Sequence, residues 1–90
     1  MDDVRLRRAR LRAWRRGFRE ADLILGPFAD ARLPVMSPAD LASFERLLEV
    51  NDHDLYAWIV GTAPTPAEFD GPVMAALRES AWAGGAARGS

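Results

Sequence analysis

Apolar residues recur every three or four positions through the first third of the chain, and this spacing constrains the fold more than any other feature. The recurring positions are Val4, Leu11, Trp14, Phe18, Ala21, Leu25 and Phe28. The spacing is typical of one face of an α-helix and predicts helix over about residues 4–28, with this face in a core. A stripe of arginines runs beside it: Arg5, Arg8, Arg12, Arg16 and Arg19.

Gly17 lies in the middle of that predicted helix, where glycine costs about 1 kcal/mol relative to alanine. Two interpretations are open. The helix breaks or kinks at Gly17, or another backbone approaches closely because glycine has no Cβ. The two are compatible, since a kink between helices is also a place that a partner can reach.

Helix signals continue along the chain. Gly26-Pro27 predicts that the first helical run weakens or ends at about Leu25 or in the next turn, and residues 31–36 then form a connector. Ser37, followed by proline and an acid three positions on, is typical of an N-cap. The helix that it starts ends near Val50, and its predicted core positions are Leu41, Phe44, Leu47 and Leu48.

Residues 51–54 are predicted to form a turn that caps a further helix, with Leu55, Trp58 and Ile59 as its apolar positions and Gly61 just beyond its end. A loop over residues 62–70 includes one turn at residues 65–68, and Gly71-Pro72 opens the last helix. We therefore predict an all-α, compact single-domain bundle of four to five short helices. Residues 1–83 form the domain, and residues 84–90 form a disordered tail.

Charge is distributed unevenly. Residues 1–20 hold eight arginines against three acids, a net charge of +5, whereas residues 21–90 hold four arginines against ten acids, a net charge of −6. Arginines near a helix N-terminus and like charges one turn apart are unfavourable, so local helix stability does not explain the cluster. Solvation or a charged docking partner is expected instead. The absence of an apolar run of about 18 residues predicts no direct membrane insertion.

The sequence contains few groups that could act in catalysis. The chain has no cysteine, and its one histidine, His53, lies among acids in a predicted turn. Asp52 and Asp54 resemble the start of a calcium loop, but neither the glycine nor the bidentate glutamate of such a loop follows. No glycine-rich phosphate loop or dinucleotide fingerprint is present. We expect no metal site, no bound cofactor and no enzymatic activity.

Several motifs nevertheless occur together. Arg16-Gly17-Phe18-Arg19-Glu20 fits an Arg-Gly-x-x-Glu pattern. Downstream are the segments Asp22-Leu23-Ile24-Leu25, Pro27-Phe28, Phe44-x-x-Leu47-Leu48-Glu49 and Asp52-x-Asp54-Leu55-x-x-Trp58. In this order and spacing, over about residues 11–61, they resemble the succinate dehydrogenase assembly factor 2 family of bacteria and mitochondria.

This resemblance implies a small helical, chaperone-like protein. Members bind the flavoprotein subunit of succinate dehydrogenase, and often that of fumarate reductase, and promote covalent attachment of FAD to a histidine of that subunit. By this analogy the docking surface centres on Arg16, Gly17 and Glu20 with Arg15 beside them, and FAD belongs to the client. Other recurring polar positions are Glu49, Asp52 and Asp54, which could equally be helix caps. The expected compartment is the bacterial cytoplasm, or the mitochondrial matrix if the source is eukaryotic.

Two other interpretations remain. An arginine-rich helix with aromatic residues nearby is also found in nucleic-acid-binding proteins. The acidic remainder of the chain and the apolar setting of Trp14 and Phe18 argue against nucleic acid as a partner. The last interpretation is a small helical interaction module whose partner is unrelated to flavoproteins.

Overall fold

Five α-helices and two 3-10 turns make up the fold in the computed structural model. It describes the backbone of residues 3–14 and 17–89, and the side chains of residues 4–14 and 17–81. The helices are α1 (Asp3–Trp14), α2 (Arg19–Arg32), α3 (Pro38–Leu48), α4 (Asp52–Val60) and α5 (Pro72–Gly89). The 3-10 turns span Leu33–Val35 and Ala67–Phe69. The prediction of an all-α bundle is confirmed, and the described residues contain no strand.

The first helical run is two helices. Gly17 has a φ of +88°, in the left-handed region that favours glycine, and Phe18 is extended before α2 begins. The prediction of a break at Gly17 is therefore confirmed. Around Gly17 nothing lies within 4 Å of where a Cβ would be, so within the described part of the chain no other backbone approaches it.

The predicted inward face of α1 is wrong. Val4, Leu11 and Trp14 expose 55%, 46% and 40% of their surface. Ala9 and Ala13 are buried instead, and they are small enough to let α1 lie close against α2. The error has a physical cause. The 3.6-residue period cannot be extended across the break at Gly17, since α2 starts in a new direction with its own buried face.

The predicted end of the helix at Gly26-Pro27 is also wrong, because α2 continues to Arg32 with Pro27 inside it. Proline lacks the N–H that would pair with the carbonyl of Leu23, but Leu23 and Pro27 lie on the exposed side, where water reaches the carbonyl. Gly26 faces inward, and the indole of Trp14 lies against it. The connection to α3 is shorter than predicted because α2 runs to Arg32, and a 3-10 turn then follows directly.

The predicted caps of α3 and α4 are confirmed, but α3 ends at Leu48 rather than near Val50, and residues 52–54, predicted to lie in a turn, form the first turn of α4. The Ser37 hydroxyl accepts a hydrogen bond from the Asp40 N–H at 3.1 Å, with proline in the first helical position. The Asn51 carboxamide oxygen accepts from the N–H groups of His53 and Asp54 at 2.9 and 3.3 Å. Gly61 ends α4 with a φ of +89°. The four predicted core residues of α3 are buried, as are Leu55 and Ile59 of α4.

Arg78 of α5 fastens the chain between α4 and α5. Its guanidinium donates to the Trp58 carbonyl and the Asp70 carboxylate, each at 3.3 Å, and to the hydroxyl of Thr65. The predicted turn at residues 65–68 appears one or two residues later, and the Thr65 hydroxyl serves Arg78 rather than capping that turn. The predicted disordered tail over residues 84–90 stays a prediction.

All five helices contribute residues to the core, and the rings of Phe28 and Phe44 pack within it with their centroids 5.6 Å apart. The radius of gyration is 12.3 Å. A single compact domain of this length has a radius of gyration of about 12 Å. In the described residues, no helix is both long enough and apolar enough to cross a membrane.

Candidate functional site

The predicted docking residues begin at the connection between α1 and α2. Gly17 is exposed there, and Glu20 is exposed in the first turn of α2. The Glu20 carboxylate makes no hydrogen bond or ion pair with another residue that the structure describes. Arg15 and Arg16 lie outside the described residues. The connection therefore presents an exposed backbone and a carboxylate that can accept hydrogen bonds from a partner.

Phe18 joins this connection to the start of α4. Its half-buried ring packs 4.8 Å from the ring of His53 and 5.2 Å from that of Tyr56. The first turns of α2 and α4 are consequently neighbours. The sequence placed Phe18 on a core face and His53 in a cap, but nothing in it indicated that the two rings would meet.

Asp52 and Asp54 occupy the first turn of α4, on either side of His53, whose ring packs on Phe18. Carboxylates are favourable at this position because the helix dipole is positive there. The capping side chain itself is Asn51, so neither aspartate acts as the N-cap. Two of the predicted acids thus lie on the same end of the molecule as Gly17 and Glu20.

Glu49 has a different setting. It is the C-cap residue of α3, and its carboxylate accepts a hydrogen bond from Arg12 Nη2 at 2.9 Å. The same guanidinium reaches the carbonyl of Leu48 at 3.5 Å. Glu49 therefore connects α1 to α3. Its side chain remains 70% exposed, so contact with a partner is still sterically open.

A second pair, which the sequence did not reveal, links the same two helices. Arg5 donates from Nε and Nη2 to the Glu45 carboxylate at 2.6 to 3.0 Å. These hydrogen bonds hold the pKa of Glu45 below its ordinary value, with further electrostatic help from Arg5, Arg12 and Arg8 and against the opposing effect of burial. The residues are 40 positions apart, and no local spacing rule connects them.

Part of the arginine stripe therefore forms ion pairs within the protein. Solvation or a partner was expected to account for all of it, but Arg5 and Arg12 are matched by acids of α3. On the other flank of α1, Arg10 lies 3.9 Å from Asp30 of α2, and Trp14 Nε1 donates to the same carboxylate at 3.3 to 3.4 Å. Arg7 forms no ion pair within the described part of the chain.

Within the described residues, no three histidine, cysteine or acidic side chains are grouped so that they could hold a metal ion. The His53 ring lies against Phe18. An exposed connection, flanked by the acidic first turns of two helices, is suited to binding the surface of another protein.

Comparison with known proteins gives one consistent result. The sequence profile of the family described as "Flavinator of succinate dehydrogenase" matches residues 7–81. The FAD assembly factor SdhE of Acetobacter pasteurianus is 34% identical over 76 residues, which cover 84% of this chain and 70% of that protein. The mitochondrial succinate dehydrogenase assembly factor 2 of Danio rerio is 35% identical over 79 residues, 86% of this chain and 50% of that protein.

Coverage differs between the relatives. The mitochondrial assembly factor 2 of Aspergillus terreus is 42% identical over 72 residues, or 74% of this chain, but the match spans 24% of that protein. The chain thus spans half or less of the length of these two mitochondrial relatives. The matched family region nevertheless includes Gly17, Glu20 and the start of α4, and so the whole candidate site.

Proposed function

The chain belongs to the family of flavinators of succinate dehydrogenase, and from this membership we propose that it binds the flavoprotein subunit of a succinate dehydrogenase and promotes covalent attachment of FAD to that subunit. The flavoprotein of a fumarate reductase is a second proposed client. The factor acts in the compartment that holds the client: the cytoplasm of a bacterium or the mitochondrial matrix.

The setting of the Arg-Gly-x-x-Glu motif is the observation that supports this proposal best. Gly17 lies in an exposed connection with open space where a side chain would be, and Glu20 projects one turn later without a described partner. A partner backbone can approach Gly17 because it has no Cβ, and the Glu20 carboxylate can accept hydrogen bonds from the partner. Arg15 and Arg16 precede this surface in the sequence, and Asp52 and Asp54 border it.

The proposed mechanism is conformational. The factor binds the flavoprotein state in which the FAD ring and the accepting histidine are aligned, and so raises the population of that state. Alignment of two reacting groups can lower the activation barrier by several kcal/mol, and the factor need not contribute a chemical group. FAD and the reacting residues belong to the client, and the factor itself performs no catalysis.

Gly17 and Gly61 offer a matched test of the docking surface. Both glycines have a φ near +90°, and neither has an atom within 4 Å of an added Cβ. Arginine at either position should therefore cost a similar amount of folding energy. We expect Gly17→Arg to weaken binding to the purified flavoprotein by about 30-fold or more, while Gly61→Arg binds like the original chain. Equal affinities of the two variants would remove Gly17 from the docking surface.

Glu20 and Glu79 form a second matched pair. Both are exposed helix residues without a described partner, so replacement by alanine should change stability by less than about 1 kcal/mol, with the larger change at Glu20 because it lies in the first turn of α2. Each variant is returned to a strain that lacks the gene, and covalent flavin is read as in-gel fluorescence after denaturation. Glu20→Ala should leave the flavoprotein subunit present but poor in fluorescence, whereas Glu79→Ala should restore it. Undiminished fluorescence in the deletion strain itself, with no second factor present, would contradict the function.

Nucleic acid is disfavoured as the partner by the contacts of the same residues. Arg5 and Arg12 are paired with α3, and the rings of Phe18 and Trp14 pack against other parts of the chain. These groups are poorly placed for phosphate contacts or base stacking. We expect negligible binding of a random oligonucleotide at physiological salt. Submillimolar, steeply salt-dependent affinity would instead favour this function.

A further inference from the structure

A groove lies on the flank of α1 that faces away from α3. It is formed by the middle of α1, the last turns of α2 and the 3-10 turn that follows α2, and its volume is about 260 Å³. The lining residues are Leu6, Arg7, Arg10, Ala29, Asp30, Leu33 and Pro34. We call this the α1–α2 groove. The groove lining includes no residue of the Gly17 connection, so the groove is a separate surface.

Apolar side chains form the inner wall of the groove. Ala29 and Leu33 are buried and Leu6 is half-buried, with Pro34 at the edge. Val35, the next residue, exposes 77% of its surface, the largest exposure among the large apolar side chains of the described residues. An apolar wall continued by an exposed aliphatic side chain favours contact with an aliphatic group of a ligand.

The rim carries a surplus of positive charge. Arg10 has a long ion pair with Asp30, 3.9 Å between Nε and Oδ1, and its side chain is 57% exposed. Asp30 also accepts from the Trp14 indole N–H. Arg7 has no ion pair with any residue that the structure describes. Two guanidinium groups therefore face the groove against one carboxylate that is already shared, unlike the one-to-one pairs on the α3 side of α1.

We propose that the α1–α2 groove is a second docking site, for a segment of a partner protein that carries a carboxylate beside an aliphatic side chain. The aliphatic group packs on Leu6 and Pro34, and the carboxylate takes hydrogen bonds from Arg7. The planar guanidinium suits a carboxylate because it can donate two parallel hydrogen bonds. The proposal rests on charge complementarity and on the apolar wall, and does not depend on the flavoprotein assignment.

Other occupants fit less well. Pockets for cofactors and other small molecules usually measure about 300–1,000 Å³, so this groove suits one or two side chains rather than a nucleotide. A lipid surface would bring anionic headgroups towards Asp30, and a flat bilayer does not match a concave wall. A second copy of this chain also offers exposed carboxylates, and that occupant is separated from the others by experiment.

The test uses the full chain and a fluorescein-labelled hexapeptide in which leucine and glutamate alternate. A peptide of alternating leucine and glutamine is the neutral control. Fluorescence anisotropy should show that the acidic peptide binds about tenfold more tightly than the neutral one and loses affinity as salt rises from about 0.05 to 0.5 M. Absence of binding up to about 1 mM peptide, or equal affinity for the two peptides, would overturn the proposal.

Charge reversal locates the binding. Arg7→Glu should weaken binding of the acidic peptide by about tenfold or more, because it places a carboxylate at the rim. Arg19→Glu is the control, since Arg19 is also exposed and has no ion pair in the described part of the chain, but lies in the first turn of α2. Thermal unfolding of both variants checks that they fold, and Arg7→Gln gives a milder version of the same test. Equal losses for Arg7→Glu and Arg19→Glu would show that the groove is not the site.

Two further measurements decide between occupants. Sedimentation with vesicles of phosphatidylcholine and phosphatidylglycerol tests the lipid, and analytical ultracentrifugation of the protein alone tests self-association. We expect the protein to remain in the supernatant when the vesicles are pelleted. In the ultracentrifuge we expect the sedimentation coefficient of a monomer. Vesicle binding that Arg7→Glu abolishes would assign the groove to anionic lipid. A dimer that Arg7→Glu dissociates would assign it to a second copy. Either result would replace the peptide proposal.

Discussion

Two glycines lie where α1 and α2 meet, and their surroundings are opposite. Gly17 belongs to the connection between the two helices, and Gly26 belongs to the contact between them, which we call the crossing. At the connection, Gly17 has a φ of +88° and open space around it. At the crossing, Gly26 lies inside α2, and a Cβ there would fall 2.3 to 2.6 Å from three atoms of the Trp14 ring. The sequence offered a backbone break and a close approach as explanations for Gly17. The structure shows the break at Gly17, and the approach of a partner backbone there stays a proposal. At Gly26 a close approach is made within the chain, by the side chain of Trp14.

Gly17 thus leaves space on the surface unoccupied, whereas Gly26 lets two helices pack closely together. Gly17 belongs to the proposed docking site, where a partner can fill the space. Gly26 fixes how α1 lies on α2, because the indole occupies the place of the missing side chain. Substitutions at the two positions should therefore act on stability through different physical terms.

The largest effect is expected at the crossing. Gly26→Ala should lower the free energy of unfolding by about 2 kcal/mol. The new methyl group must displace the Trp14 ring, and the free-energy cost of that displacement exceeds what alanine adds to helix stability. Alanine before Pro27 is also disfavoured in a helix, which adds to the cost. Urea denaturation of the variant measures the change.

A double-mutant cycle with Trp14→Ala isolates the steric contribution. In that background the same glycine substitution should cost at least about 1 kcal/mol less, because the ring is no longer there to be displaced. The residual cost then reports the effect of Pro27, offset by the helix preference of alanine over glycine. An identical cost in both backgrounds would show that the crossing does not depend on the contact between Trp14 and Gly26.

A smaller effect is expected at the connection. Gly17→Ala should cost about 1–2 kcal/mol, since a residue with a Cβ is strained at a φ of +88° although no atom blocks it. A helical φ would have made the same substitution neutral or stabilising. Gly17→Asn should cost less, because asparagine tolerates this backbone conformation, and Gly61→Ala should resemble Gly17→Ala. Denaturation midpoints of the three variants give the comparison. Full stability of Gly17→Ala would mean that the connection is not held at positive φ.

The smallest effect concerns the other flank of α1. Glu45→Gln should destabilise the protein at neutral pH by up to about 1 kcal/mol, because the pair with Arg5 is partly exposed to solvent. The pKa of Glu45 is lowered from 4.5 in the folded state, so the pair contributes fully above that pH and is lost as the pH falls through the lower, folded value. The difference between Glu45→Gln and the original chain should therefore shrink below about pH 4.5. A difference that stays constant into that range would show that the Arg5 pair does not determine the Glu45 pKa.

Local signals in the sequence predicted α3 and α4 well. Ser37 with the following proline, and Asn51 with Gly61, mark helix ends through interactions within a few residues, so they can be read without the tertiary structure. The α1 and α2 region was predicted less well. The buried positions Ala9 and Ala13 carry little hydrophobic signal, and Pro27 is tolerated in α2 because its side of the helix is exposed.

The candidate site was also predicted only in part, for the same reason. Gly17 and Glu20 were found through a sequence motif, and their exposure fits a docking role. The contacts that position them are long-range, namely Phe18 against His53 and Arg12 against Glu49, and no spacing rule reaches across 35 residues. The α1–α2 groove was not predicted either, because its wall combines residues of α1 with residues that were expected to lie beyond the end of the first helix.

The three hydrogen-bonding contacts of Arg78 have a consequence for the lifetime of the protein. The chain between α4 and α5 is exposed for much of its length, and such segments are usual cutting sites for proteases. A protease needs an extended, detached segment, but Arg78 holds residues 58, 65 and 70 at once, and two prolines lie between the first and the last. Cutting there requires release of this arginine, so degradation of the segment should track local opening around Arg78 rather than surface exposure.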